Sequence, residues 1–314
     1  AFIGRAVAVS GTLSTELAQL LTRGPIQAIC CDVDGTLTSK DHKVAERSIK
    51  AISGILDETN IQFIPATGRT RASMARVTLN EVPKLFGGLE RTPGVYQQGL
   101  QVYGIDGDII FERYLSRTIV VRVSDFCDMQ GLSVVAYCGD TLYADALTEH
   151  TDTLQIYKDN AAMVPLTGVR GLPSETTHKM IIINNDATKI SSIRRALGEA
   201  LKGTGAVITQ AAKEMLEILP PESSKGDGVL KLLEHLSIDP EATIAFGDGE
   251  NDIEMFQNVG RSIAVKNARP ALKNIASAVC PSSCNLGVAM CLEEILRVSR
   301  CQQGDGPPRS RLRL

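Results

Sequence analysis

The chain has 314 residues, 43% hydrophobic and 22% charged, the balance of a folded globular protein with length for two domains of ordinary size. A net charge of −3 gives no general attraction for nucleic acid or an anionic membrane surface, so the expected partner is a small molecule. No apolar run approaches the ~20 residues that span a bilayer, no Asn opens an Asn-x-Ser/Thr sequon, and the eight cysteines lack the CxxC spacing of a zinc site, which together predict a soluble, intracellular, cytoplasmic protein with reduced thiols.

In chain order, the opening stretch AFIGRAVAVSGTLSTELAQLLTRG carries Arg, Ser and Thr with a single acid, Glu16. It fits the end of a plastid or mitochondrial transit peptide, and equally a short amphipathic helix with Leu13, Leu17, Leu20 and Leu21 on one side. From residue 26, short apolar runs alternate with helical periodicity, the pattern of βαβ units and a mainly parallel sheet. Strands are predicted at Ala28 to Cys31, Gln62 to Ala66, Met215 to Leu219, Thr243 to Phe246 and Ser262 to Val265, and helices at Glu46 to Glu58, Gly228 to Leu236 and Asp252 to Val259. The adjacent Cys30 and Cys31 fall in the first apolar run and read as buried thiols.

The middle of the chain changes character. A hairpin is predicted at Asp106-Gly107, an alternating strand over Leu132 to Tyr137 before Gly139-Asp140, and an Ile181-Ile182-Ile183 run before a helix over Ile190 to Leu201. Hairpins mixed with two helices predict an α+β module at 115–213, inserted into an α/β domain that occupies 26–114 and 214–300. Residues 1–25 are then an N-terminal extension. The Gly/Pro-rich, basic stretch 301–314 reads as a disordered tail.

Four segments carry chemistry. Asp32-Val33-Asp34-Gly35-Thr36 follows the first strand, and ligands of open α/β sheets bind at the carboxyl ends of the strands. One carboxylate can attack phosphorus while its neighbour two positions on handles protons. A pair of acids there also invites Mg²⁺. Ile64-Pro65-Ala66-Thr67-Gly68-Arg69 ends the next strand, with a hydroxyl and backbone N–H groups suited to an anion. Lys225 lies in Ser223-Ser224-Lys225-Gly226, at the opening of a helix, and Gly247-Asp248-Gly249-Glu250-Asn251-Asp252 sets oxygen ligands at another strand end. Taken singly, each also reads as a solvated turn, a helix cap or a surface lysine.

In order and placement, the four segments resemble the motifs of the haloacid dehalogenase superfamily. The module between the second and third segments, with Ser262-Ile263-Ala264-Val265-Lys266-Asn267-Ala268 and Asn285-Leu286-Gly287-Val288-Ala289, is similar to the Cof-type phosphatases with their type IIB cap. The resemblance spans about 26 to 298. It implies a Rossmann-like core with an inserted α+β cap, and a Mg²⁺-dependent phosphatase that forms a phosphoaspartate. By the resemblance, Asp32 is the nucleophile and a metal ligand, and Asp34 is the acid/base and binds the metal through its carbonyl. Asp248 completes the metal ligands. Thr67, Gly68 and Asn251 contact the phosphoryl group, Lys225 neutralises charge, and Asp252 orients Lys225 or a metal-bound water. The implied substrate is a small phosphorylated metabolite, a sugar phosphate or a nucleotide or cofactor-precursor phosphate.

The sequence departs from the subfamily at Gln98-Gly99, where Asn-Gly is usual, and at Lys266, where Gly is usual. Two alternatives stay open: a phosphomutase of the same superfamily and a non-catalytic binding module on the same fold. A P-type ATPase does not, because it needs membrane helices and a DKTGT-like loop. Asp140, Tyr143, His178 and Lys179 are the polar candidates from the inserted module for substrate contact.

Overall fold

The computed structural model describes residues 13–39, 41–156, 158–159, 162–210 and 212–303. The transit-peptide reading of 1–12 and the tail reading of 304–314 lie outside the described residues. The chain forms β1 (Ala28–Cys31) and β2 (Gln62–Pro65), then three short strands, β3 (Gly94–Tyr96), β4 (Gln101–Tyr103) and β5 (Ile109–Glu112). Next come β6 (Ser133–Cys138), β7 (Thr141–Ala144), β8 (Lys179–Ile183), β9 (Val207–Thr209) and β10 (Met215–Leu219). The last three are β11 (Thr243–Gly247), β12 (Arg261–Val265) and β13 (Ala278–Cys280).

One sheet is parallel throughout, in the order β13-β12-β11-β1-β2. All four residues of the central β1 are buried, which is why it reads as an unbroken apolar run rather than an alternating one. Burial pushes the Cys30 thiol up to about 12, so Cys30 is a packing group. The helices Glu46–Glu58, Gly287–Gln303, Lys225–His235 and Ile253–Gln257 bury their apolar faces in the same core. The chain leaves β1 toward β2 on one side and returns through β11 on the other, so a crevice forms between the ends of β1 and β11.

A second sheet, β7-β6-β8-β10-β9, is antiparallel. Helices Arg117–Gln130 and Ala187–Ala200 pack on one of its faces around Val120, Val123, Met180, Ile182 and Ile218. The alternate residues Tyr137, Lys179 and Glu217 turn the other way, toward the carboxyl ends of the parallel strands, where the Lys179 Nζ donates to the Gly68 carbonyl at 2.8 Å. A third sheet, β3-β4-β5, is joined to the end of β2 by a bridge between Ala66 and Val95. Among the described residues no helix is long and apolar enough to cross a membrane. The fold is α/β with an added antiparallel α+β module, as the sequence predicts.

Three expectations need correction. Met215–Leu219 is a strand, but it pairs antiparallel with β8 and β9 instead of joining the parallel sheet, so the chain returns to that sheet only after Leu219. An apolar run specifies burial and leaves its hydrogen-bonding neighbours open. The stretch read as a tail from 301 begins inside a helix that continues to Gln303. The helix read from Gly228 starts at Lys225, because the Ser224 hydroxyl accepts from the Asp227 N–H at 3.0 Å and caps it three residues earlier. At the chain start, helix Thr15–Thr22 buries Leu17 and Leu21 in the main core, which matches the amphipathic reading.

The position of the Lys225 helix depends on a close backbone approach. Gly99 has φ +90°, and a Cβ there would lie 2.1 Å from the Ser224 carbonyl oxygen. Gly228 faces it, its own Cβ position 2.6 Å from the Gly99 Cα. Substituting Gly99→Ala combines backbone strain with this clash, and is expected to destabilise by about 2 kcal/mol or more in urea unfolding. An unchanged midpoint would contradict the close approach.

Candidate active site

The site is built at the crevice between β1 and β11. The Asp32 N–H donates to the Phe246 carbonyl at 3.0 Å, which fixes Asp32 at the tip of β1 beside β11. Lys225, from the start of its helix, places Nζ between two buried carboxylates, 2.6 Å from Asp32 Oδ1 and 2.7 Å from Asp252 Oδ1. The other oxygen of Asp252 accepts the N–H groups of Asp248 and Gly249, each at 2.9 Å. Both oxygens of Asp252 are thus engaged by the protein itself.

The carboxylate of Asp248 differs, since its only hydrogen bond to the described residues is a weak one, from the Thr36 hydroxyl at 3.5 Å. It lies against Gly35, whose φ is +77° and whose Cβ position is 2.4 Å from Asp248 Oδ2. Glycine is required there for conformation and for space. The Gly35 carbonyl in turn accepts from Asn267 Nδ2 at 2.8 Å, and Asn267 Oδ1 accepts from the Ser283 N–H at 2.9 Å, so Asn267 ties the loop after β1 to the turn before the last helix. Residue Lys266, where the subfamily has Gly, leaves this tie intact.

Carboxylate oxygens of Asp32, Asp248 and Asp252 lie within 4.8 Å of one another. With one ammonium among three carboxylates, full ionisation of the cluster would leave two uncompensated negative charges. Burial raises Asp32 well above the usual carboxylate range, with the charges of Asp252 and Asp248 adding to it and Lys225 opposing. Burial also drives Asp248 upward, helped by Asp252, to about 7. Burial alone would lower Lys225, yet the two carboxylates outweigh it and raise its pKa. An oxygen-lined, over-acidic cluster of this kind suits a hard divalent cation. Asp32 and Asp248 are its available carboxylates, because Asp252 is already committed to Lys225 and two backbone N–H groups.

The remaining predicted residues gather around this centre. Thr67, at the end of β2, accepts the Arg69 N–H at 3.2 Å. Asn251 Nδ2 donates to Gln98 Oε1 at 3.1 Å, and Gln98 Nε2 donates to Glu217. Gln97 and Gln98 both have positive φ, a strained turn that aims Gln98 into the site. Asp34 receives a bidentate Arg69, Nε at 2.6 Å and Nη2 at 2.8 Å, with His42 Nδ1 at 3.2 Å. Burial would raise Asp34, but Arg69 and His42 outweigh it and hold the carboxyl well below its ordinary value.

A cavity of about 120 Å³ lies over these groups. Its floor is Asp32, Asp34, Thr67, Gly68, Arg69, Asp248 and Asn251, and its roof includes Tyr137, Asp159, Lys179 and Glu217. Of the four polar candidates from the module, only Lys179 lines it. Asp140 Oδ1 accepts the Ala72 N–H at 3.2 Å, Tyr143 sits in β7 at the sheet edge, and His178 is fixed between the Gly139 N–H and Glu112, each at 3.1 Å. The sequence reading gave no role to Arg69, His42, Gln98, Glu217 or Asp159. Glu217 left a signal, a lone acid inside the apolar run Met215-Leu216-Glu217-Ile218-Leu219.

The profile of the haloacid dehalogenase-like hydrolases matches residues 29–292. The chain belongs to this family. A HAD/COF-like hydrolase structure from Plasmodium vivax superimposes with a TM-score of 0.82 at 24% identity, covering 90% of this chain and 99% of that one. An Arabidopsis thaliana protein named "Endoribonuclease YBEY, chloroplastic" is 32% identical over 83% of this chain, which spans 45% of that relative's length. An Enterobacter protein named HMP-PP phosphatase is 27% identical over 77% of this chain and 84% of its own.

For this haloacid dehalogenase-like hydrolase, the ion cluster makes a stability prediction. Replacing Asp252→Ala leaves a buried ammonium with one partner and two N–H groups with none, and is expected to cost about 3–5 kcal/mol in urea unfolding. A loss of less than ~0.5 kcal/mol would contradict the assigned geometry.

Proposed function

We propose that the protein is a Mg²⁺-dependent phosphatase that hydrolyses a small phosphorylated metabolite through a phosphoaspartate on Asp32. The observation that carries this reading is the convergence of Asp32, Lys225 and Asp248, from three distant parts of the chain, on one crevice. The match to relatives named HMP-PP phosphatase, at 27% and 28% identity, supports phosphate release as the reaction class.

In this proposal the free carboxylate oxygen of Asp32 attacks phosphorus and the ester P–O bond breaks. The leaving oxygen takes a proton, and water then attacks the same phosphorus, breaking the bond to Asp32 and releasing phosphate. Lys225 stays against Asp32 and offsets the charge that develops there. Thr67, the Gly68 N–H and Asn251 hold the phosphoryl oxygens in line. Asp34 is kept ionised by Arg69, which suits it to take the proton of the attacking water. The proton for the leaving oxygen would come from Asp34, which must first be released by Arg69 and protonated from solvent; the later water step returns a proton to it. The carboxylates of Asp32 and Asp248 and the carbonyl of Asp34 would hold Mg²⁺, which when bound supplies charge neutralisation to the phosphoryl oxygens and the acidic cluster. The antiparallel module, from about residue 115 to Leu219, would act as a cap that excludes water during transfer.

Two measurements test the reading. Asp32→Asn should lower phosphate release from an aryl phosphate by on the order of a thousandfold or more, and retained turnover would reject Asp32 as nucleophile. The second concerns pH. Asp248 has a folded pKa of about 7, raised above its unfolded value, so the stability it contributes is full below pH ~4 and lost as pH rises through about 7. A cation that needs the ionised carboxylate competes with this proton. The rise in Tm on adding Mg²⁺ should therefore be larger at pH ~8 than at pH ~5.5, and a rise of equal size at both would contradict Asp248 as a ligand.

A further inference from the structure

The roof of the cavity is chemically one-sided. Its cation, Lys179, is fully engaged: Nζ donates to Glu217 Oε1 at 2.7 Å and to the Gly68 carbonyl at 2.8 Å, and lies 4.6 Å from the centroid of the Tyr137 ring. Glu217 receives Gln98 on its second oxygen. The other cation lining the cavity, Arg69, is held by the Asp34 carboxylate and by Ser73, to which Nη1 donates at 3.0 Å. Among the described residues that line the cavity, both basic side chains are thus neutralised by a carboxylate of the protein.

Asp159 is the opposite case. Its side chain is 9% exposed, and Oδ2 accepts from the Tyr137 hydroxyl at 3.0 Å. Its Oδ1 is buried and accepts no hydrogen bond among the described residues; its ion pair with Arg69 Nη1 is long, 3.9 Å, beyond hydrogen-bonding range. A buried carboxylate oxygen without a donor is costly, and this one sits in the wall of a cavity whose other roof residues include the apolar Ile181 and Met215.

Resting on the phosphatase reading, we propose that Asp159 is a specificity-determining residue, and that the substrate is a monophosphate ester whose alcohol part is uncharged or cationic and donates an O–H or N–H to Asp159 Oδ1. A second anionic group on the substrate would meet Asp159 with no unpaired cation to offset it, which disfavours bisphosphates, phosphorylated sugar acids and the bisphosphate step of a mutase. Discrimination here comes from repulsion as much as from the added hydrogen bond.

The experiment compares kcat/KM, with Mg²⁺ present, for sorbitol 6-phosphate, glucosamine 6-phosphate, 6-phosphogluconate and fructose 1,6-bisphosphate, with p-nitrophenyl phosphate as the control for chemistry. The wild-type protein should prefer the sorbitol or the glucosamine ester over both anionic ones by about tenfold or more. In Asp159→Ala and in Asp159→Asn, which keeps an acceptor for Tyr137, that ratio should fall toward one, mainly through KM. Hydrolysis of the aryl phosphate with equal kcat/KM for neutral and anionic esters overturns this inference alone. A ratio unchanged in both variants overturns it as well. Failure to hydrolyse the aryl phosphate removes the phosphatase reading and this inference with it.

Discussion

A single ammonium group organises the site. Lys225 Nζ lies between Asp32 and Asp252, all three buried, and its two contacts are made from different parts of the chain. Asp252 in turn gathers the N–H groups of Asp248 and Gly249, so the loop after β11 is shaped around the lysine's partner. Remove the cation and the carboxylates have no reason to lie so close. Keep it and the cluster still holds an excess of negative charge, which a divalent cation and a phosphoryl group would complete. The same crowding of carboxylates is what would suit the site to a divalent cation.

The antiparallel module is coupled to this centre by polar contacts rather than by a broad apolar seam. Lys179 reaches the Gly68 carbonyl, and Glu217 receives Gln98, which itself holds Asn251. A second tie runs from Arg194 of helix Ala187–Ala200 to Glu250, at 2.7 Å, within the same loop as Asp248 and Asn251. Movement of the module would therefore be felt directly by Gly68, Gln98 and Glu250 at the crevice.

Much of this was legible in the sequence because motif chemistry sits at the ends of apolar strands. The run Ala28 to Cys31 announces a central buried strand, and the acids after it can only emerge at its tip. The register of Met215–Leu219 was not legible, since its hydrophobic pattern suits a parallel core strand and an antiparallel module strand equally well. The pairing of Asp34 with Arg69 was hidden for another reason: the two lie on neighbouring strand tips, and no spacing rule links residues brought together by sheet order. Asp159 was the least visible of all, because the lack of a donor to its Oδ1 among the described residues shows only in three-dimensional packing.

The central claim is that Asp32 carries the phosphoryl group during turnover. Acid quenching of the protein during hydrolysis of an aryl phosphate with Mg²⁺, followed by borohydride reduction and peptide mapping, tests it directly, since reduction converts an acyl phosphate of aspartate to homoserine. The account predicts homoserine at position 32 and at no other aspartate. Homoserine at Asp34 or Asp248, or its absence from every position while turnover proceeds, would contradict it.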